Sequence, residues 1–372
     1  VIALDLKASI EKRMELFKDL RKSLNENAEL SFQEFVTQNI IRDFLSGISV
    51  PNAPLANTGV VALLNESTEC IAIRADMDAL PVNGVSHACG HDYHMAVALG
   101  VCQILKDINY NKCVKFIFQP AEEDTGGAVP MINEGVLENP KVTHMIGFHV
   151  WPEVRVGTIE VASGPSMASI DDFTLTFRGK GGHAAMPHKC INPIYPAVDF
   201  VNTITSKSKI ENNPLDAHII TIANINSGSA NNVISDEAKL GGTVRTFSNE
   251  LRSKLREDIE KCAQLSAAKY NCEAEIFYDP QYPPLISDAN FTNKFIEITS
   301  RLIGSDNVLP LEKTFAGEDF SYFAEAVPSV HFRLGICDGN KGTYPLHSPK
   351  FSANEDALFH GIYIIVNFLL NL

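Results

Sequence analysis

The chain has 372 residues, 45% of them hydrophobic and 20% charged, with a net charge of −14. That length exceeds what one compact core usually holds, so two domains are expected. The acidic balance argues against a nucleic-acid partner, which would need a basic stripe, and no apolar run reaches the roughly 20 residues of a membrane helix.

Eight cysteines without regular spacing read as reduced, mostly buried thiols and point to a reducing, cytoplasmic setting. The start, 1–13, is charged and amphipathic and has no signal-peptide core. It begins on Val1 rather than Met, which leaves room for a trimmed segment upstream. Ile10, Met14, Phe17, Leu20 and Leu24 recur at three- and four-residue spacing and predict an amphipathic first helix. Short apolar runs at 60–64, 70–73, 114–118 and 145–148 predict strands. The stretch 95–105 is apolar nearly all round and predicts a buried helix. Strands alternating with helices predict an α/β sheet.

From Ser163 the pattern changes. Phe173, Leu175 and Phe177 alternate as a strand does, and 193–207 reads as a helix. Strands are predicted over 218–225 and 237–247, a helical stripe on Leu251, Leu255, Ile259 and Cys262, and a closing strand over 273–278. This β-α-β-β-α-β order is the split βαβ arrangement of ferredoxin-like α+β domains. Gly164-Pro165 marks its entrance and Pro280, Pro283 and Pro284 its exit. Helix and strand signals resume over 291–302 and 362–370. The expectation is a discontinuous α/β domain, 1–165 and 282–372, with a mixed, largely parallel sheet flanked by helices. An inserted α+β domain over 166–281 interrupts it, and Gly164 and 280–284 are the predicted hinges.

The densest chemical signal is His87-Ala88-Cys89-Gly90-His91-Asp92-Tyr93-His94, with three imidazoles, a thiol and a carboxylate. Gly90 permits a tight bend that can aim Cys89 and His91 at one ion, and the helix that follows would favour a Cys89 thiolate. Taken singly, these are an ordinary core thiol and loop histidines; their density is what packing does not explain. Gln119-Pro120-Ala121-Glu122-Glu123-Asp124 directly follows the strand at 114–118, where α/β sheets gather ligands. Adjacent side chains project differently, so Glu122 and Glu123 suit a general base beside a metal ligand, in either order. Asp76 and Asp78 follow the strand at 70–73 and would share a face if it continues. His149 follows the strand at 145–148, and His347 lies in Pro345-Leu346-His347-Ser348-Pro349. Each of these alone is bland. Three successive strand ends carrying Asp/Asp, Glu/Glu and His, with the Cys/His loop among them, point to a metal centre. Mixed nitrogen, oxygen and sulfur donors fit zinc, cobalt, nickel or manganese better than magnesium or calcium. More than four ligands suggest two ions roughly 3.5–4 Å apart.

These residues resemble the dinuclear metallo-amidohydrolases that include aminoacylases, carboxypeptidase G, hippurate hydrolase and the plant auxin-conjugate hydrolases. Within them the match is to the subgroup bearing His-Ala-Cys-Gly-His-Asp. It spans nearly the whole chain, from 25–35 to 354–357, and rests on 87–92, 120–123, Gly181-Gly182-His183-Ala184, and Asn232-Val233-Ile234 through Arg245. The resemblance implies that Cys89, His91, Glu123, His149 and His347 hold two divalent transition-metal ions per subunit. Zinc or manganese stands first, then cobalt or nickel. It implies that Glu122 is the general base acting on a metal-bridged water and that Asp78 orients a ligand; Asp76 is left unassigned. From the inserted domain of a homodimer, which that domain would join, His183 would steady the oxyanion in the partner subunit's site. Asn232 and Arg245 would lie near the substrate carboxylate.

The implied activity is hydrolysis of the amide bond of an N-acyl amino acid or small peptide. A dipeptidase, an N-acetyl-diaminopimelate deacetylase, and an inactive metal-binding relative are the alternatives. Two departures stand out. The connection from Pro81 to His87 is shorter than in the subgroup, and Ser348 stands where many relatives have a second histidine.

Overall fold

The computed structural model describes residues 6–372, so the first five residues of the amphipathic start lie outside the described part. The chain divides into two compact units: one runs to Gly164 and resumes over Ile286–Glu312 and Asp319–Leu372, the other comprises Pro165–Leu285 and Lys313–Glu318. Segment 313–318, expected in the first unit, packs instead with the second: Thr314 N donates to Ser166 O, and Ala168 N donates to Thr314 O.

In chain order the first unit begins with helices α1 (Leu6–Glu11), α2 (Met14–Glu26) and α3 (Phe35–Gly47). Strands β1 (Asn52–Leu55), β2 (Gly59–Leu64) and β3 (Glu69–Asp76) follow, then α4 (His91–Asp107), β4 (Val114–Gln119) and α5 (Ala128–Asn133). The long β5 (Lys141–Arg155), β6 (Ile159–Val161) and β7 (Gly164–Met167) lead to the second unit. That unit contains β8 (Asp171–Arg178), β9 (Gly182–His183), α6 (Ile194–Glu211), β10 (His218–Ser227), β11 (Val233–Ile234), β12 (Glu237–Thr246), α7 (Asn249–Lys269) and β13 (Glu273–Pro280). The chain returns through β14 (Leu285–Ser287) to α8 (Ala289–Ile303), β15 (Val308–Pro310), α9 (Phe320–Ala326), β16 (Ser329–Cys337) and α10 (Asp356–Leu370).

The expected first helix is two helices, because the chain breaks at Lys12-Arg13. Its apolar stripe nevertheless holds: Ile10, Phe17, Leu20 and Leu24 are all buried. The large sheet has the order β1-β2-β4-β3-β5-β16-β6-β15. Its centre, β4-β3-β5-β16, is parallel, while β1, β2 and the β16–β6 pair are antiparallel. Strand β16 reads Ser-Val-His-Phe-Arg-Leu-Gly-Ile-Cys and is buried along almost its full length. Helix α4 is buried from His91 to Leu105, as a helix apolar on every side must be. It packs among α2, α10 and the sheet.

In the second unit, β13-β8-β12-β10 form an antiparallel sheet. With α6 and α7 this is the ferredoxin-like order. Alternation puts Phe173, Leu175 and Phe177 against Phe200, Leu255 and Ile259 in its own core. Ser248 caps α7, accepting from Leu251 N at 3.3 Å.

Candidate metal centre

The parallel strands β4, β3 and β5 are neighbours, and the acidic and imidazole groups gather where β3 and β4 end and β5 continues. Asp76 is the last residue of β3. Beyond it Asp78, fully buried, binds the Glu122-Glu123 turn. Its Oδ1 accepts from Glu122 N at 3.0 Å, and its Oδ2 accepts from Glu123 N at 3.0 Å and Ser31 Oγ at 2.7 Å. A second buried carboxylate holds the same turn from behind: Glu34 Oε1 accepts from Ala121 N at 2.9 Å, and its Oε2 accepts from Thr58 Oγ1 at 2.5 Å. Ala121 sits at φ +54°, in the left-handed region, a conformation that costs a residue with a Cβ about 1–2 kcal/mol. The two carboxylates hold this bend and so set where Glu122 and Glu123 point. Sequence reasoning missed Glu34, because an acid far away along the chain gives no local signal.

The Cys89 loop arrives from the other side. Gly90, at φ +90°, caps α4. A Cβ there would lie 2.3 Å from Val150 Cγ2, so this position needs glycine twice over. The short connection before it is a closed turn: Leu80 N donates to Ser86 O and Ser86 N to Leu80 O, each at 3.0 Å.

Ligand atoms of Cys89, His91 and Glu123 all lie within 4.8 Å of one another. His347 Nε2 is 3.3 Å from Glu123 Oε1, and the His149 ring centroid is 5.7 Å from that of His91. All five sequence candidates thus stand in one cluster. His347 comes in on an exposed loop at φ +65°, tied down by its N–H donating to Ala88 O at 2.8 Å.

His91 Nδ1 lies 2.9 Å from Asp78 O, and its buried Nε2 has no hydrogen-bond partner among the described residues. His149 Nδ1 lies 2.7 Å from Val150 O. In each ring a carbonyl lies against Nδ1, which leaves Nε2 as the nitrogen that could meet an ion, the usual arrangement of a metal-binding histidine. An orphaned buried nitrogen facing a thiol and a carboxylate fits a cation.

The field of the site favours positive charge. Burial works against a charged His91, but Asp76 and the Cys89 sulfur outweigh it, so His91 titrates well above the ordinary histidine range. Burial and the neighbouring His94 ring push His149 well below it. Burial pushes the Cys89 thiol up to about 11 against the pull of His91. A bound cation would act against this burial and favour the thiolate. For Asp78, burial pushes upward, but hydrogen bonds from His91, Glu123 N–H and Ser31 hold it below the usual carboxylate range.

Beneath the cluster lies a buried ionic lattice. The Arg74 side chain is fully buried. Its Nε donates to Gln119 Oε1 at 2.8 Å, one Nη to Asp76 Oδ2 at 2.6 Å and the other to Asp319 Oδ1 at 2.7 Å. Asp319 also accepts from Gln119 Nε2 and from Ala128 N.

The remaining candidates belong to the second unit. His183 is exposed on the β9–β11 ribbon, opposite Val233. Asn232 is beside it, its carbonyl accepting from Ala184 N at 3.0 Å. Arg245 is half-buried on β12, and among the described residues its hydrogen bonds run through one Nη, to Thr243 Oγ1 and to the Val244 and Asp171 carbonyls.

The model of peptidase family M20/M25/M40 matches residues 72–371. The chain belongs to this family. It is therefore a hydrolase of amide bonds. It is 37% identical to an N-acetylcysteine deacetylase of Bacillus subtilis (strain 168), over 91% of this chain and 92% of the relative. It is 34% identical to thermostable carboxypeptidase 2 of Saccharolobus solfataricus, over 95% and 94%. Among solved structures it resembles a dinuclear metal binding peptidase from the M20 family of Bacillus subtilis, with 32% identity, a TM-score of 0.84 and coverage of 97% and 98%. No helix among the described residues is long and apolar enough to cross a membrane.

Proposed function

We propose that this chain removes the acyl group from an N-acyl amino acid, using divalent transition metals held by Cys89, His91, Glu123, His149 and His347. The observation that carries this reading is the convergence of those donors beside Glu122, whose backbone Asp78 holds in place. Two ions fit the number of donors, and the solved relative binds two; zinc is favoured by the sulfur and imidazole donors, with manganese next. When bound, such ions polarise the amide carbonyl and make water acidic near neutral pH.

The chain's own groups do the rest. Glu122, 8% exposed, takes the proton from water as it attacks and hands that proton to the leaving amine. Asp78 positions both Glu122 and His91. His183 donates to the oxyanion, from the partner subunit of a homodimer built through the inserted domain. Asn232 and the uncommitted edge of the Arg245 guanidinium hold the substrate carboxylate, which selects amino-acid amides over simple ones. The deacetylase relative favours the deacylation reading; the carboxypeptidase relative keeps a small-peptide substrate as the second. The free thiols fit a reducing, cytoplasmic setting.

The test is a release-of-amine assay with acetyl-, benzoyl- and indoleacetyl-amino acids against dipeptides, on protein stripped by chelator and reloaded with one ion at a time. Stripped protein is expected to be inactive, and zinc or manganese to restore acyl-amino-acid turnover. Glu122→Gln is expected to keep its metal and lose about 10²–10⁴-fold in kcat. Full activity in metal-free protein, or in Glu122→Gln, would overturn the proposal.

A further inference from the structure

His94 and Asp76 are buried titratable groups beside the cluster that the reaction above does not use. Together with His91 they lie close enough to suggest a cation site of their own. Their hydrogen bonds argue otherwise. His94 Nε2 accepts from the backbone N–H of Val150 at 2.9 Å, so that nitrogen carries a lone pair already in use. The ring hydrogen is therefore on Nδ1, which faces Asp76 Oδ1 at 2.5 Å. The other oxygen of Asp76 accepts from Arg74 at 2.6 Å. Both nitrogens of His94 are committed, and neither is available to an ion.

The same bonds give the pair a different task. The backbone at Val150 is held on both sides of its Cα: its N–H by His94, and its C=O, in the following peptide, by His149 Nδ1 at 2.7 Å. The His94 and His149 rings meet edge to face, with centroids 4.6 Å apart and planes at 80°. A continuous chain of bonds thus runs from Arg74 through Asp76, His94 and the Val150 backbone to His149. Arg74 is itself anchored on Gln119 and Asp319, so the far end of the chain is rigid.

We propose that Asp76 and His94 are positioning residues for His149, acting through the backbone at Val150 so that Nε2 of His149 faces the metal cluster. Asp76 fixes the tautomer of His94, His94 fixes the backbone at Val150 through its N–H, and the Val150 carbonyl, in the next peptide along, fixes the tautomer and ring plane of His149. The inference rests on the metal-binding reading above. Outer-sphere contacts of this kind are typically worth 10–100-fold in metal affinity.

The test compares wild type, His94→Phe and His94→Gln. Phenylalanine keeps a ring but offers no acceptor to Val150 N–H, whereas the glutamine amide oxygen can replace Nε2. Apoprotein is titrated with cobalt(II). Absorption reports thiolate ligation at Cys89, and competition with a chelator gives the affinity of each ion. Wild type should take up two ions. His94→Phe should keep the thiolate band and bind its weaker ion about 10–100-fold less well, with His94→Gln recovering most of the loss. Two equally tight ions in His94→Phe would overturn the proposal, whereas a wild type that binds no cobalt would refute the metal reading instead. Should His94→Phe not fold, nitrogen-15 spectra of the wild-type histidines decide: a hydrogen on Nδ1 of His94 supports the chain of bonds, and one on Nε2 ends it.

Discussion

Arg74 shows how much of the site depends on a residue that touches no substrate. Its guanidinium, fully buried, is shared between Asp76, Asp319 and Gln119. A buried ion pair is weak evidence of stability by itself, but removing one partner leaves uncompensated charge. Arg74→Met is therefore expected to cost about 3–5 kcal/mol in chemical unfolding. Arg74→Lys is expected to recover little, because an ammonium cannot serve three partners in the plane of a guanidinium. A wild-type unfolding midpoint in Arg74→Met would show that the lattice contributes nothing net. The site residues that could be read in the sequence were those in dense local patterns: 87–94 and 119–124. Glu34 and Arg74 were not, and His94 was seen only as one imidazole of the cluster without its task, because these roles depend on partners brought together only by folding. Asp76, left without a task at the sequence level, gains one only when His94 and Arg74 are seen on its two oxygens.

At the level of elements, the pattern of apolar residues located α2, α4, β2, β3, β4 and every main element of the second unit. It fell short on β5 and β16. Only 145–148 of β5 stood out as an apolar run, whereas the strand extends over 15 residues through Trp151 and Pro152. A proline argues against a central strand, yet here β5 continues past it. Strand β16 carries His331 and Arg333 inside its run, and these polar residues hid a strand buried on both faces. Close packing between elements is also invisible to periodicity. Gly147 of β5 lies under the Phe320 ring of α9, where a Cβ would meet three ring carbons at 2.7, 2.8 and 2.9 Å. A flat ring cannot swing aside as an alkyl tip can, so Gly147→Ala is expected to destabilise by about 1–3 kcal/mol. Phe320→Leu in the same chain should return part of that loss. A pair of substitutions whose costs simply add would refute this contact as the cause.

On the scale of the molecule, the chemistry is divided unequally between the two units. All five proposed ligands, Glu122, Asp78 and the Arg74 lattice belong to the first, and the second has its own core around Phe173, Phe177 and Phe200. Metal binding stabilises only what it touches when folded, so its effect should be confined. Hydrogen exchange with and without zinc is expected to show added protection in β3, β4, β5 and the start of α4, with β8, β12 and β13 unchanged. Equal added protection in both units would mean that the second takes part in holding the ion.

The position of β16 also bears on how the protein is made. This strand, which starts at Ser329, lies between β5 and β6, which end at Arg155 and Val161, far earlier in the chain. While a ribosome is still short of that point, β5 has an unpaired edge and β6 has no neighbour on the side β16 will fill. His347 is later still. The middle of the sheet and the last of the proposed metal-binding imidazoles are therefore made well after the strands and donors they join. A nascent chain must keep an open strand edge out of reach of other chains until then, and the proposed metal site is complete only after β16 and the His347 loop are made.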